Sequence, residues 1–247
     1  MFAIREFHCI TPKWAMQLHY HESLASTNDE ARRLAEDGAP HGTVVLADHQ
    51  HAGRGRRGAV WASGPGEGLL FSLVLRPENP RRFWSRLALA SGLGIVNALR
   101  DEWGIPAEIK WPNDVYVNGR KCAGILVESQ DGFAVVGVGL NVAASPEGDD
   151  STSLTEALGE SLSREEVLAV VLDGLMAESK ACADGFSHQI ARMRPLCFLT
   201  GKKVTFRSNQ EQIEGLVIGI GDEGDLLVEV DGEVQLFQQA ELIRVES

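Results

Sequence analysis

The sequence predicts an α+β protein, with helices packed on a mixed, largely antiparallel sheet and a small β-barrel following it. Three observations predict this. Apolar residues recur at three- and four-residue steps in residues 82–103 and again after Ser163, the period of a helix with one buried face. Between these stretches, short apolar runs alternate with the dipeptides Asn118-Gly119 and Asp131-Gly132, which favour tight antiparallel hairpins. From Lys202 onward only short strand-like runs and Gly/Asp-rich turns remain, a texture that suits a barrel of roughly fifty residues.

Each element has its own signal. Residues 18–24 read as a strand. Ser26 with Asp29, or Thr27 with Glu30, caps an Ala/Leu/Arg-rich helix that Gly38 stops. Residues 43–47 and 69–75 are apolar, β-branched or aromatic runs, hence core strands, and a Gly/Arg-rich loop joins them. Over 82–103, Phe83, Leu87, Ala90, Gly94 and Ala98 mark the helical face, and Gly104 followed by Pro106 ends it. Residues 108–111, 115–117, 122–128 and 133–139 form the meander, with a break at Pro112, and 145–150 is a loop. Ser163 with Glu166 opens the second long helix, which carries Val167, Leu168, Val171, Leu172, Leu175 and Met176 on one side. The texture changes near Arg194-Pro195, which sets an expected division into 1–195 and 196–247. Strands are expected in the second part at 203–207, 215–220, 226–230, 234–237 and 242–245.

Composition narrows the function classes. The formal net charge of −12 makes most of the surface repel polyphosphate, which argues against nonspecific nucleic-acid binding and requires any anion site to be local. No apolar run approaches membrane-spanning length. Residues 1–14 include Arg5, Glu6 and His8 and lack the apolar core of a secretory signal, so a cytoplasmic protein is expected. Cys9, Cys122, Cys182 and Cys197 show no C-x-x-C spacing and read as reduced thiols, with no structural zinc site expected.

The densest chemical signal is Gly53-Arg54-Gly55-Arg56-Arg57-Gly58, followed by Trp61, with no acidic residue between His49 and Gly66. Glycine lets backbone N–H groups approach phosphate oxygens, and arginine supplies forked donors. The same stretch also suits a solvated basic turn. Lys110-Trp111-Pro112-Asn113-Asp114 places a cation, a rigid turn, an amide and a carboxylate between two strands, as a ligand-facing turn or as a plain strand connection. Lys121 opens a very apolar strand that runs on through Gly124 to Glu128. It can reach a buried carboxylate or phosphate, or snorkel at a strand end. The alternating glycines of Val136-Gly137-Val138-Gly139-Leu140-Asn141 mark close approach of a ligand or backbone, or relieve crowding in a bent sheet.

Taken in order, Ser26-Thr27-Asn28, Gln50 to Gly58 with Trp61, Lys110 to Asp114 with Lys121 to Glu128, and Gly137 to Asn141 resemble the motifs of biotin protein ligases, also called biotin–[carboxyl-carrier] ligases. The resemblance runs from about Leu18 to the C-terminus. It implies a class II synthetase-like catalytic domain of the biotin/lipoate ligase kind, an SH3-like terminal domain, and a two-step reaction. Biotin and ATP give biotinyl-5′-AMP and pyrophosphate, with Mg2+ carried by ATP, and the biotinyl group then passes to a lysine of a biotin carboxyl carrier protein. By resemblance, Ser26, Thr27, Asn28, Gln50 and Gly124 line the biotin pocket, and Arg54, Gly55 and Arg56 close over biotin and adenylate. Lys121 approaches the biotin carboxylate and α-phosphate, so that it and Arg56 are the catalytic pair. Asn113, Asp114, Trp61 and Asn141 lie on the nucleotide side, shared with Arg54 and Arg56. No protein-held metal is implied.

The chain departs from the pattern in two places. Ala59 stands where many relatives carry a basic residue. Fewer than thirty residues precede Ser26, too few for the DNA-binding domain of some relatives, so a monofunctional enzyme with neither DNA nor membrane partner is expected. Sheet edges in the meander are compatible with a homodimer. Three alternatives stand beside this reading: a lipoate-type ligase, an adenylate-responsive repressor, and a ligand-binding module without turnover.

Overall fold

The apolar alternation of the first half of the chain assembles into one seven-stranded sheet. In a computed structural model, which describes residues 1–15, 17–146, 148, 150–182, 185–208, 211–238 and 241–245, its strands are β1 (Leu18–Leu24), β2 (Val44–Gln50), β3 (Gly68–Leu75), β4 (Ala107–Lys110), β5 (Asp114–Val117), β6 (Arg120–Gln130) and β7 (Phe133–Asn141). They lie in the order β1-β2-β3-β7-β6-β5-β4. Only β1 and β2 pair in parallel; every other pair is antiparallel. The turn after β5 has positive φ at both Asn118 and Gly119, the twist-matched geometry that this dipeptide favours.

Side-chain alternation places helices on both faces. Val45 of β2 and Val135 of β7 pack with Ala31 and Ala35 of helix α3 (Thr27–Glu36) on one face. Val44, Leu46 and Val136 point the other way, into the main core, as the two-residue period of a strand requires. That core is covered by α4 (Leu87–Trp103) and α6 (Arg164–Ala181). Ser163 caps α6 by accepting a hydrogen bond from the Glu166 amide at 3.3 Å.

Several short helices lie outside the elements expected from the sequence. α1 (Ile4–Ile10) buries only Phe7, and α2 (Pro12–Ala15) and α5 (Leu154–Leu158) are one turn or little more. α7 (Phe186–Met193) buries Phe186, Ile190 and Met193 over two turns. The helix expected over 82–103 begins later, because Arg81–Arg86 is a 3-10 turn in which the buried Trp84 indole donates to the Asn79 carbonyl at 3.0 Å. In the loop expected at 145–150, positions 147 and 149 lie outside the described residues.

After a 3-10 turn at Arg194–Leu196 the chain forms a second, barrel-like sheet. It comprises β8 (Lys203–Ser208), β9 (Glu211–Ile220), β10 (Leu226–Val230), β11 (Glu233–Phe237) and β12 (Glu241–Val245), antiparallel throughout. Its Val204, Phe206, Val217, Ile220, Leu226 and Val228 belong to the same continuous core as the larger sheet. The Trp111 indole also donates to the Gly224 carbonyl at 2.9 Å. No helix among the described residues is long and apolar enough to cross a membrane.

The two long helices cross through a glycine pair. A Cβ on Gly174 would lie 2.5 Å from the Gly94 carbonyl oxygen, and one on Gly94 would lie 2.7 Å from the Gly174 backbone. Gly174→Val is therefore expected to lower unfolding free energy by about 1–3 kcal/mol, the usual cost of overpacking. Urea denaturation checks this; unchanged stability contradicts the close crossing.

Candidate active site

The first wall of the site is neutral and polar. Ser26, Thr27 and Asn28 begin α3 and are all buried, but the Ser26 side chain makes no capping hydrogen bond. Gln50, at the end of β2, takes that role. Its Oε1 accepts from the Thr27 amide at 2.7 Å and from Thr27 Oγ1 at 3.1 Å, so the side chain of a neighbouring strand satisfies an amide of the first helical turn. Ser72 Oγ in β3 lies 2.8 Å from Thr27 Oγ1 and 2.6 Å from Asn28 Oδ1. Asn28 Nδ2 donates to Glu128 Oε2 at 2.7 Å. Sequence reasoning gave Ser72 and Glu128 no role, although Ser72 is the only hydroxyl in the otherwise apolar strand Gly68–Leu75.

Glycines make the floor. A Cβ on Gly137 would sit 2.1 Å from Asn28 Oδ1, so the hydrogen-bonded wall exists only because β7 has no side chain there. Gly124 and Gly139 are register partners on β6 and β7, and the Trp61 indole lies across both. Added Cβ atoms would come within 2.8 Å and 2.3 Å of its ring. Close approach therefore accounts for these glycines. The Trp61 Nε1 is buried and has no hydrogen-bond partner.

The opposite wall carries the cations. Lys121 at the start of β6 pairs with Asp114 at 2.8 Å, and its ammonium lies 5.6 Å from the Trp61 ring centre. Asn113 is fixed by two bonds to Ile125, amide Nδ2 to carbonyl and carbonyl from amide, each at 2.9 Å. Its Oδ1 accepts from Arg56 Nη1 at 3.0 Å. Burial lowers the Arg56 pKa, with Arg57 acting in the same direction and Asp114 opposing. Burial likewise lowers the Lys110 pKa, whose ammonium donates to the Tyr116 hydroxyl at 2.6 Å, while Tyr116 is pushed up to about 12, chiefly by burial and then by Asp114. A desolvated guanidinium whose nearest acceptor is a neutral amide is a site that an anion stabilises.

The Gly/Arg loop spans the two walls. Arg54 forms a two-pronged pair with Asp29, both contacts at 2.7 Å. Its hydrogen bonds hold the Asp29 carboxyl below the usual range and raise the Arg54 pKa. Inside the loop, the Gly55 amide donates to the Ala59 carbonyl at 2.7 Å and the Ala59 amide to the Arg56 carbonyl at 3.0 Å. Arg57 and Gly58 both have positive φ, which turns the chain back on itself. Ala59 thus contributes through its backbone.

Together these elements enclose a cavity of about 620 Å3, a size that suits small-molecule ligands. Ser26, Thr27, Asn28, Gln50, Arg54, Gly55, Arg56, Trp61, Asn113, Asp114, Lys121 and Gly124 all line it. Asn141 does not. It is buried at the end of β7, where its Nδ2 donates to the Thr152 carbonyl at 3.1 Å, and the Thr152 amide in turn donates to the Lys121 carbonyl at 2.9 Å. Asn141 therefore steadies the backbone that carries Lys121, and its Oδ1 is buried without a partner.

A cavity with a neutral hydrogen-bonding wall facing a cationic one suits an enzyme that holds anionic substrates. The biotin/lipoate A/B protein ligase family model matches residues 20–143, and the chain belongs to that family. It is 34% identical to the bifunctional ligase/repressor BirA of Bacillus subtilis, over 94% of this chain and 75% of that protein. It is 32% identical to the biotin–[acetyl-CoA-carboxylase] ligase of Mycobacterium tuberculosis, over 93% and 89%. The solved biotin protein ligase from Aquifex aeolicus in complex with biotin and ATP superposes with a TM-score of 0.81 at 30% identity, covering 93% of this chain and 98% of that one.

The Arg54–Asp29 clasp has a defined pH dependence. Because the Asp29 pKa is lowered in the folded state, the clasp is fully present above the ordinary carboxylate pKa of about 3.9 and is lost as pH falls through the lowered value. Asp29→Asn removes it at neutral pH and is expected to speed tryptic cleavage after Arg54, Arg56 or Arg57 by at least about twofold. Equal cleavage rates would show that the clasp does not hold the loop.

Proposed function

We propose that the protein activates biotin with ATP as biotinyl-5′-AMP and transfers the biotinyl group to a lysine of a biotin carboxyl carrier protein. The observation that carries this reading is the convergence of Lys121 and Arg56 with the neutral Thr27, Asn28 and Gln50 wall on one cavity. A ureido head group needs uncharged donors and acceptors, which Ser26, Thr27, Asn28 and Gln50 supply, with Gly124 in the same lining. Support also comes from the relatives, one named for biotin ligation and one solved with biotin and ATP.

In the first step a biotin carboxylate oxygen attacks the α-phosphorus of ATP. A P–O bond forms, the bond to the β-phosphate oxygen breaks, and pyrophosphate leaves with its electron pair. The step forces two anions together, so positive charge must face the oxygens they share. Lys121 exchanges Asp114 for these oxygens, and Arg56 exchanges its amide partner for a phosphate. Asn113, Asp114 and Trp61 hold the nucleotide, while Asn141 acts through the Lys121 backbone. Arg54 and Gly55 keep the loop closed over the anhydride, which water otherwise hydrolyses. Mg2+ belongs to the substrate, carried on the ATP phosphates.

In the second step the uncharged ε-amine of the carrier lysine attacks the biotinyl carbonyl. An amide C–N bond forms, the C–O bond to AMP breaks, and the amine gives up a proton. Nothing in this sequence needs a covalent enzyme intermediate.

Incubating an unmodified biotin carboxyl carrier domain with the protein, biotin and MgATP is expected to give one biotinylated lysine by mass spectrometry, with pyrophosphate released. Equal or tighter binding of lipoate in calorimetry would overturn the choice of acid. Lys121→Ala is expected to slow single-turnover adenylation by at least about tenfold, the scale of a lost transition-state charge contact. An unchanged rate would remove Lys121 from the catalytic step.

A further inference from the structure

A second cavity, about 850 Å3 in volume, lies beside the first and shares with it Arg56, Arg57 and the Trp111–Asn113 turn. Five arginines line it, Arg56, Arg57, Arg81, Arg82 and Arg86, in a chain whose formal net charge is −12. The adenylation step described above accounts for only the first of these.

The outer three form an ordered array. The 3-10 turn Arg81–Arg86 places the Arg82 and Arg86 guanidinium groups 4.6 Å and 4.5 Å from the centre of the Phe83 ring. Arg86 also stacks on Phe186 at 4.3 Å and pairs with Glu223 of the second sheet. Arg81 and Arg82 are exposed. Arg81 contacts Asp131 at 2.5 Å, a carboxylate that is itself 95% exposed and so competes weakly with a partner. A row of guanidinium groups held on an aromatic ring is a ready-made receptor for carboxylates.

Charge alone would also suit the polyphosphate of ATP, but the far wall argues against it. There the groove is bounded by Glu223, which already shares the Arg86 charge and leaves less of it for a polyphosphate, and by the largely buried Asp225, whereas a protein surface bearing mostly carboxylates and some cations can match both walls. The half-buried Phe83 ring in the same lining adds an apolar surface of the kind found at the centre of a protein interface.

We propose that this groove docks an acidic face of the acceptor protein, laying its lysine across the Arg57 and Pro112 edge into the adjoining cavity. The proposal rests on the functional reading above and deepens it. It also gives the second sheet a task, because Glu223 holds Arg86 in line and residues 223–225 form the groove's far wall.

The test uses the full chain with an unmodified biotin carboxyl carrier domain, comparing the parent with Arg81→Glu/Arg82→Glu. Two rates are followed: biotinyl transfer against carrier concentration, and pyrophosphate release with hydroxylamine in place of the carrier. The double variant is expected to raise the KM for carrier at least about tenfold, leaving pyrophosphate release and the KM for ATP within about twofold of the parent. Arg82→Ala, a milder change, should raise the carrier KM about threefold, and added salt should weaken the parent more than the double variant. An unchanged carrier KM overturns the proposal. A rise in the KM for ATP overturns it in favour of a polyphosphate site. No pyrophosphate release from the parent sinks the functional reading, and the docking proposal with it.

Discussion

The site depends first on the absence of side chains along two strands. Gly124 on β6 and Gly137 and Gly139 on β7 open a strip on one face of the sheet, into which Asn28 and Trp61 settle at distances no Cβ would allow. With that strip filled, Asn28 could not reach Ser72 and Glu128, and the start of α3 would lose its link to β3. Trp61 would be pushed off the sheet together with the loop that carries it. The hydrogen-bonded wall, the indole and the loop position thus follow from one steric condition on the pleated surface.

Electrostatics then divides the cavity. The neutral wall is tied together internally, with Gln50 serving the amide of Thr27 and Ser72 joining Thr27 to Asn28. The cationic wall is held less firmly, since Arg56 rests on the amide oxygen of Asn113 and pays for burial with a lowered pKa. Lys121 keeps Asp114 as a partner, and that pair leaves its charge close at hand for a second anion. A partly buried cation whose partner is neutral is under-compensated, and an anion is the partner that would satisfy it. The loop is held in the same uneven way: its Arg54 end is clasped to Asp29 by two charged contacts, while Arg56 meets the neutral amide oxygen of Asn113.

What the sequence revealed tracks the range of each interaction. The Asn118-Gly119 hairpin and the Ser163 cap were legible because a turn and a cap are decided within four residues. The five short strands after Lys202 were legible for the same reason. The local cap expected from Ser26 with Asp29, or Thr27 with Glu30, gives way to Gln50, 23 positions from Thr27, whose side chain satisfies the Thr27 amide. Ser72 went unnoticed since its meaning depends on helix α3 lying over β3. Asn141 was placed beside the ligand by resemblance, whereas its amide faces Thr152, inside the protein. α1 escaped because a single buried residue falls short of a periodic signal, whereas α7 carries helical spacing in Phe186, Ile190 and Met193 but only over two turns.

On this reading, one glycine-floored cavity gathers biotin and ATP beneath the Gly/Arg loop. Hydrogen–deuterium exchange of the backbone amides in residues 53–61 and 110–114, with biotin, ATP, both or neither, tests it most directly. Both segments are expected to slow markedly when the two ligands are present together, the loop more than the turn, because closure needs the anions that Arg56 and Lys121 face. Exchange that is the same in all four conditions would contradict it.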